Sequence, residues 1–370
     1  MTDNTKYTVG WICAIETEYI AAQCFLDERH EKPKSLHAKD SNHYTLGKIA
    51  GHNVAIAVLP SGECGISSAT AVVKNMLYSF PNIRIGLLVG VGGGAPSPKH
   101  DIRLGDIVVS VPHDGNGGVF QYDIGKTVQN QSFQTNGFLN QPPPILLAAV
   151  AGLGARYRSE GHEIEASIND ILSTKKRLQR DFQRPDPSTD RLYKSDIVHS
   201  RTNEDCISLC GGDASKLVSR PERTEEEDNP AVHRGLIASA NQILMDAVIR
   251  DKLADEKEVL CFEREAAGLM NQFPCLVIKG ICNYSDSHEN TKWQGYAAMT
   301  AAAYAKDLLC EIVPAKVESE GKIADIPGIL STSKWFSESV STPIDLYPVL
   351  DQDNKCLMHV VRSRAQLTNL

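Results

Sequence analysis

Two stretches of this chain carry side chains that could do chemistry. Phe262-Glu263-Arg264-Glu265-Ala266-Ala267-Gly268 sets two carboxylates two residues apart, where a strand pattern gives way to an Ala-rich helical one. Cys275-Leu276-Val277-Ile278-Lys279-Gly280-Ile281-Cys282-Asn283-Tyr284-Ser285-Asp286 is an apolar strand that ends in polar and hydroxyl side chains. Ligands in parallel α/β sheets bind at the carboxyl ends of strands, so both places are candidate sites on geometry alone. Three further places could contribute. Glu16-Thr17-Glu18 opens a helix, where acids favour the positive end of the dipole, and Glu18 is open to a capping or a functional reading. Pro60-Ser61-Gly62-Glu63-Cys64-Gly65 lies between a strand and a helix, where backbone N–H groups can face an anion or a water. Gly92-Gly93-Gly94 suggests that a ligand or a neighbouring strand approaches the backbone closely.

The elements that must position these groups alternate between the two periodicities. Strand patterns fall at 7–15, 43–59 (two strands around a Gly turn), 85–91, 104–110, 233–239 and 259–262; helical ones at 16–25, 65–80, 142–153, 240–253 and 294–313. Residues from about 159 to 230 are charged and polar, with Arg184-Pro185-Asp186-Pro187-Ser188 and 222–228 as surface loops. They are expected to form an insertion or lid within a domain spanning 1–313, because their apolar pattern builds no separate core. Residues 314–370 are expected to be a C-terminal extension or linker.

Composition narrows the partners. The 370 residues are 42% hydrophobic with a net charge of −8, and no basic stripe runs along them, which argues against a nucleic-acid binder. The polar start, Met1 to Tyr7, and the lack of any long apolar run point to an intracellular, cytoplasmic protein without a membrane partner. The ten cysteines include Cys13, Cys261, Cys275 and Cys282 in apolar strands, where a reduced thiol serves as a small hydrophobe. Cys206-Ile-Ser-Leu-Cys210 has no second Cys or His pair at zinc-finger spacing, so no metal site is expected from it.

Six motifs in order carry a resemblance: Cys13-Ala14-Ile15-Glu16-Thr17-Glu18, Pro60-Ser61-Gly62, Val89-Gly90-Val91-Gly92-Gly93, Leu104-Gly105-Asp106-Ile107-Val108, Phe262-Glu263-Arg264-Glu265-Ala266-Ala267 and Lys279-Gly280-Ile281-Cys282-Asn283. Together they resemble the nucleoside phosphorylase superfamily, in particular the nucleosidases that cleave methylthioadenosine and S-adenosylhomocysteine. The likeness is greatest to fungal nucleoside phosphorylase-like domains fused to NTPase, ankyrin or TPR modules. The fold this implies is a single α/β domain with a mixed, barrel-like central sheet flanked by helices.

The activity it implies is cleavage of a ribose-to-purine N-glycosidic bond by water, with no cofactor and no metal. Glu265 then falls at the ribose-binding Glu and Glu18 at the carboxylate that activates water. Glu263 and Arg264 line the same stretch, Ser61, Gly62 and Gly92 belong to the substrate loops, and the base lies near Asn283 and Ile237-Ala238-Ser239. Two positions depart from the pattern. Leu88 stands where hexameric phosphorylases keep a phosphate-binding Arg, which favours water over phosphate. Asn283 stands where the nucleosidases carry a catalytic Asp, leaving three explanations: an enzyme that works by hydrogen bonding, an inactivated or slowed site, or a shifted role for Asp286. Arg264, a Met in related enzymes, adds positive charge beside the sugar. Because immunity-type relatives are credited with removing adenine from ATP, a nucleotide substrate stands beside a nucleoside, and Lys99, His100 and Arg103 could meet its phosphates. The alternatives are a purine-sensing or oligomerising module without turnover and, less favoured, phosphate-dependent phosphorolysis. The resemblance also implies a homo-oligomer.

Overall fold

The computed structural model describes residues 3–330, apart from 131–132, 201–205, 212, 225 and 289–290, together with 348–350 and 356–358. The chain divides into residues 1–330 and 331–370. Among the described residues twelve strands belong to the larger unit: β1 (Val9–Cys13), β2 (Glu28–Arg29), β3 (Tyr44–Ile49), β4 (His52–Val58), β5 (Ile85–Gly94), β6 (Ile107–Ser110), β7 (Val119–Gln121), β8 (Gly125–Lys126), β9 (Gln134–Thr135), β10 (Val232–Ser239), β11 (Val259–Glu263) and β12 (Cys275–Asn283).

The central sheet runs β11-β10-β6-β12-β5-β1-β4-β3-β2, and β11 also pairs with β5. Five strands (β11, β10, β6, β12 and β5) thus close on one another. Pairing is mixed: β12 lies parallel to β5 and antiparallel to β6. This is the barrel-like α/β sheet that the motifs imply. The strands β5 and β12 are buried along nearly their whole length, as expected of apolar runs covered on both faces.

β5 is longer than the apolar run 85–91 suggests. It continues through Gly92-Gly93-Gly94, and there it swings into antiparallel pairing with β11, Gly93 opposite Phe262 and Gly94 opposite Cys261. Residues without side chains let one strand serve two neighbours at the closure of the barrel.

The helix Gln294–Cys310 is buried on all its faces from Gly295 to Ala305, the state expected of an Ala-rich helix with no polar face, and it packs on β12 and β5. The polar segment from about 159 opens with a core element. Its helix Ile164–Thr174 buries Ile164, Ile168 and Leu172 in the main hydrophobic core, a stripe at helical spacing that the surrounding charges hide in the sequence.

The core also continues past residue 313, since Val317, Ile323 and Ile329 are buried in it. Beyond residue 330 the expected extension lies outside the described residues, except for an antiparallel pair, Pro348–Leu350 with Cys356–Met358. No helix among the described residues is long and apolar enough to cross a membrane.

Candidate active site

The centre of the site is Lys279, a charged residue in the middle of β12 with no solvent exposure. Its Nζ lies 3.2 Å from Glu263 Oε2 and 3.9 Å from Glu265 Oε2. Burial opposes the charge of this ammonium, but the carboxylates of Glu263, Glu265 and Glu18 outweigh it and hold its pKa above the ordinary lysine value. Sequence reading assigned Lys279 no role. A lone lysine inside an apolar strand was the available signal, because such a residue is almost never fully buried unless paired.

Glu18 comes from the first turn of the helix Glu16–Cys24, and it caps that turn as well as facing the lysine. Oε2 accepts from the N–H groups of Ala14 (2.6 Å) and Ile15 (3.3 Å), and Oε1 accepts from Val91 of β5 (2.8 Å). Glu16, by contrast, is exposed. Burial pushes the Glu18 carboxyl up, against the pull of Lys279 and the three N–H groups. The carboxylate lies so close to β5 that a Cβ on Gly90 would sit 2.2 Å from Oε1. Gly90 is therefore a requirement of Glu18.

Glu263, at the end of β11, accepts from the N–H groups of Glu265 and Ala266 at 3.1 Å and so holds the start of the short helix Ala266–Leu269. It supports the turn and the lysine. Glu265 is then presented with Oε1 accepting from Gly65 N (3.2 Å) and Oε2 from Arg264 N (3.3 Å). Burial and then the neighbouring Glu263 and Glu18, opposed by Lys279, bring its pKa up to about 7. A carboxyl poised near neutrality in a charged, buried cluster is a mark of functional sites.

The loop before the helix Gly65–Ser79 reaches Glu265 through Gly65, while Ser61 and Gly62 are exposed. Arg264 is half-buried and donates to Cys64 Sγ (2.9 Å) and to the carbonyl of Asn241 (3.4 Å). On β10, Ser239 Oγ accepts from Ala267 N (3.0 Å), and Ala238 packs in a small apolar cluster with Tyr122 and Phe262. Both are fully buried and set the position of the Glu265 turn.

Asn283 ends β12. Its Oδ1 accepts from Ser285 N (3.0 Å), an Asx-type turn that holds Ser285 at φ 51°. Among the described residues Nδ2 has only the Cys282 thiol at 3.5 Å, a weak acceptor. Side-chain bulk is excluded from the facing strand, since a Cβ on Gly93 would lie 2.0 Å from Ser285 Oγ and 2.7 Å from Asn283 Oδ1. Gly92 sits between the Cys261 thiol and the Lys279 side chain. Asp286 turns elsewhere: Oδ1 accepts from His288 N (2.9 Å) and Oδ2 lies 3.7 Å from Arg250 Nη1.

Two of the cations offered to a phosphate tail are paired. Lys99 pairs with Glu258, and Arg103 with Asp101. Leu88 is fully buried, opposite Ile12 and Val277 in the sheet. The motif residue Asp106 forms a separate buried cluster. Its carboxylate receives the N–H groups of Arg103 and Ala231 (2.9 Å each), both Nη atoms of Arg223, and His233 Nε2 (2.9 Å). Burial alone would raise its pKa; the Arg223 and His233 bonds reverse that and bring it down to about 2.

The five-strand closed sheet flanked by helices is a fold that this chain shares with solved structures of nucleosidases and a related hydrolase. Similar solved structures include the methylthioadenosine/S-adenosylhomocysteine nucleosidase of Neisseria meningitidis in complex with methylthio-immucillin-A (TM-score 0.52, 14% identity, covering 82% of this chain and 99% of that one). The futalosine hydrolase of Helicobacter pylori is another (TM-score 0.51, 14% identity, covering 84% and 100%). A third is an Asp-to-Asn variant of the H. pylori nucleosidase with 5'-methylthioadenosine in its active site (TM-score 0.50, 15% identity, covering 83% and 99%). In sequence, a nucleotide-binding leucine-rich repeat (NLR)-like protein of the fungus Hyaloscypha variabilis is 45% identical over 309 residues. That match takes in 84% of this chain but only 30% of the relative's length. No protein-family model matches the chain.

Proposed function

We propose that the unit spanning residues 1–330 is a purine N-glycosidase that hydrolyses the ribose-to-base bond of a purine nucleoside or nucleotide. The observation that carries this is the cluster of three carboxylates around one buried lysine, with the Asn283 amide at the end of the same strand. Glu265 accepts hydrogen bonds from the ribose hydroxyls. Glu18, with its carboxylate basicity raised by burial, takes a proton from water as the water oxygen bonds to the anomeric carbon. The carbon-to-nitrogen bond breaks, and its electron pair leaves with the purine. Nδ2 of Asn283 donates to the base at N7, an acceptor in every purine. Because an amide lends no proton, this step runs about 10²–10⁴-fold below what an acid there would give. With Leu88 buried in the core, water is the supported nucleophile.

A second reading is favoured by Asn283 itself: a module that binds a purine compound without turning it over. Incubation of wild-type protein and N283D with ATP, adenosine, inosine and methylthioadenosine, with and without phosphate, separates the two. Free base from either protein without phosphate supports the glycosidase. No free base from any substrate with either protein leaves the binding module.

A further inference from the structure

Sequence spacing gives Cys206 and Cys210 no partners, but the fold does. One ligand atom from each of His199, Cys206 and Cys210 lies within 4.8 Å of the others, and His199 Nδ1 is 3.2 Å from Cys210 Sγ. Both thiols are free. A tetrahedral zinc with bonds of about 2.3 Å to sulfur and about 2.0–2.1 Å to nitrogen requires ligand-to-ligand edges of roughly 3.6–3.8 Å, so these three groups need little movement to share one ion.

A fourth group points the same way. His288 is buried, and among the described residues neither of its ring nitrogens has a hydrogen-bond partner, an unusual condition that costs free energy. Its ring stacks on Tyr193 at 3.9 Å, and Tyr193 Oη in turn lies 3.7 Å from Cys206 Sγ. The two imidazole centroids are 5.9 Å apart, and Ser287 Oγ accepts from His199 N at 2.9 Å, tying the segments together. Asp286 Oδ2 stands 3.5 Å from His288 Nδ1. A carboxylate beside one ring nitrogen is the usual companion of a histidine that binds metal through the other.

We propose that His199, Cys206, Cys210 and Nε2 of His288 bind one zinc ion. Two thiolates and two imidazoles make a closed set typical of structural zinc, with no position left for a substrate. The ion joins the polar insertion to the loop that follows Asn283. This proposal is independent of the glycosidase reading.

The test uses the full chain, freed of any affinity tag, reduced, stripped with chelator and then dialysed against zinc. Elemental analysis should find about one zinc per chain, and cobalt in its place should give the visible bands of a tetrahedral site and near-ultraviolet thiolate-to-cobalt absorption. Zinc should protect two thiols of the wild-type protein from a thiol reagent, and chelator should release them; this readout needs no variant to fold. C206S and H288A should each bind zinc at least about 100-fold more weakly, because losing a ligand costs more than the roughly 10- to 100-fold of losing an outer-shell partner. Wild-type protein that takes up no zinc, or that shows unchanged thiol reactivity or a Cys206–Cys210 disulfide under these conditions, overturns the site. Unchanged affinity in H288A removes His288 from it.

Discussion

Two buried ionic clusters sit in the same sheet and differ in how their carboxylates are supplied with donors. Asp106 alone collects five: two backbone N–H groups, both Nη atoms of Arg223 and the His233 ring. Around Lys279 three carboxylates share one ammonium, and each collects only two or three backbone N–H groups besides. The same desolvation therefore ends in opposite results, a pKa of about 2 for Asp106 and about 7 for Glu265. An oversupplied carboxylate is spent on holding the fold. An undersupplied one keeps a protonation state that a ligand can change, which is why the Lys279 cluster is the candidate site although both clusters contain motif residues.

The largest effect should come from D106N, which leaves the Arg223 charge without its buried partner and should lower unfolding free energy by about 3–5 kcal/mol in denaturant titration. At about pH 5, where Glu265 is largely protonated in the folded state, E265Q should change stability by less than about 1 kcal/mol while lowering purine release at least about 100-fold. Equal destabilisation by the two would break the comparison.

The pH dependence sharpens it. Asp106 titrates lower in the folded than in the unfolded chain, so its contribution is complete above about pH 4 and is lost as pH falls toward 2. Glu265 titrates higher when folded, so the folded state binds the extra proton, and its contribution is lost as pH rises from about 4.5 to 7. Thermal melts across this range should show both limbs in the wild type, with D106N losing the acid limb and E265Q the neutral one.

Next in size is N283D, expected to raise base release by about 10²–10⁴-fold if the rest of the cluster is competent. The smallest effect is R264A, which should reduce turnover of ATP relative to adenosine by no more than about 10-fold, since Arg264 is already engaged with Cys64 and Asn241. An unchanged ratio would remove Arg264 from phosphate recognition.

Much of this was legible in the residues. The long apolar strands, the Ala-rich closing helix and the order of the six motifs led to the closed sheet. The carboxylates Glu18, Glu263 and Glu265 were visible as acids at element ends. Their division of labour was not, because it depends on which oxygen faces which N–H group. Glu263 turns out to hold a helix start, Ser239 to brace Ala267, and Asp286 to meet Arg250 and His288.

The sequence by itself determined the strand and helix periods, and thereby which strands could be buried on both faces and where polar groups must emerge. Tertiary structure alone decided the charges. Glu18 lies far along the chain from Glu265 and Lys279 and shares their electrostatic environment only because β1, β5, β11 and β12 meet, and the ligand atoms of His199, Cys206 and Cys210 come together only in the folded insertion. Local pattern reports which residues can be buried, but a pKa or a ligand set is a property of what is buried beside them.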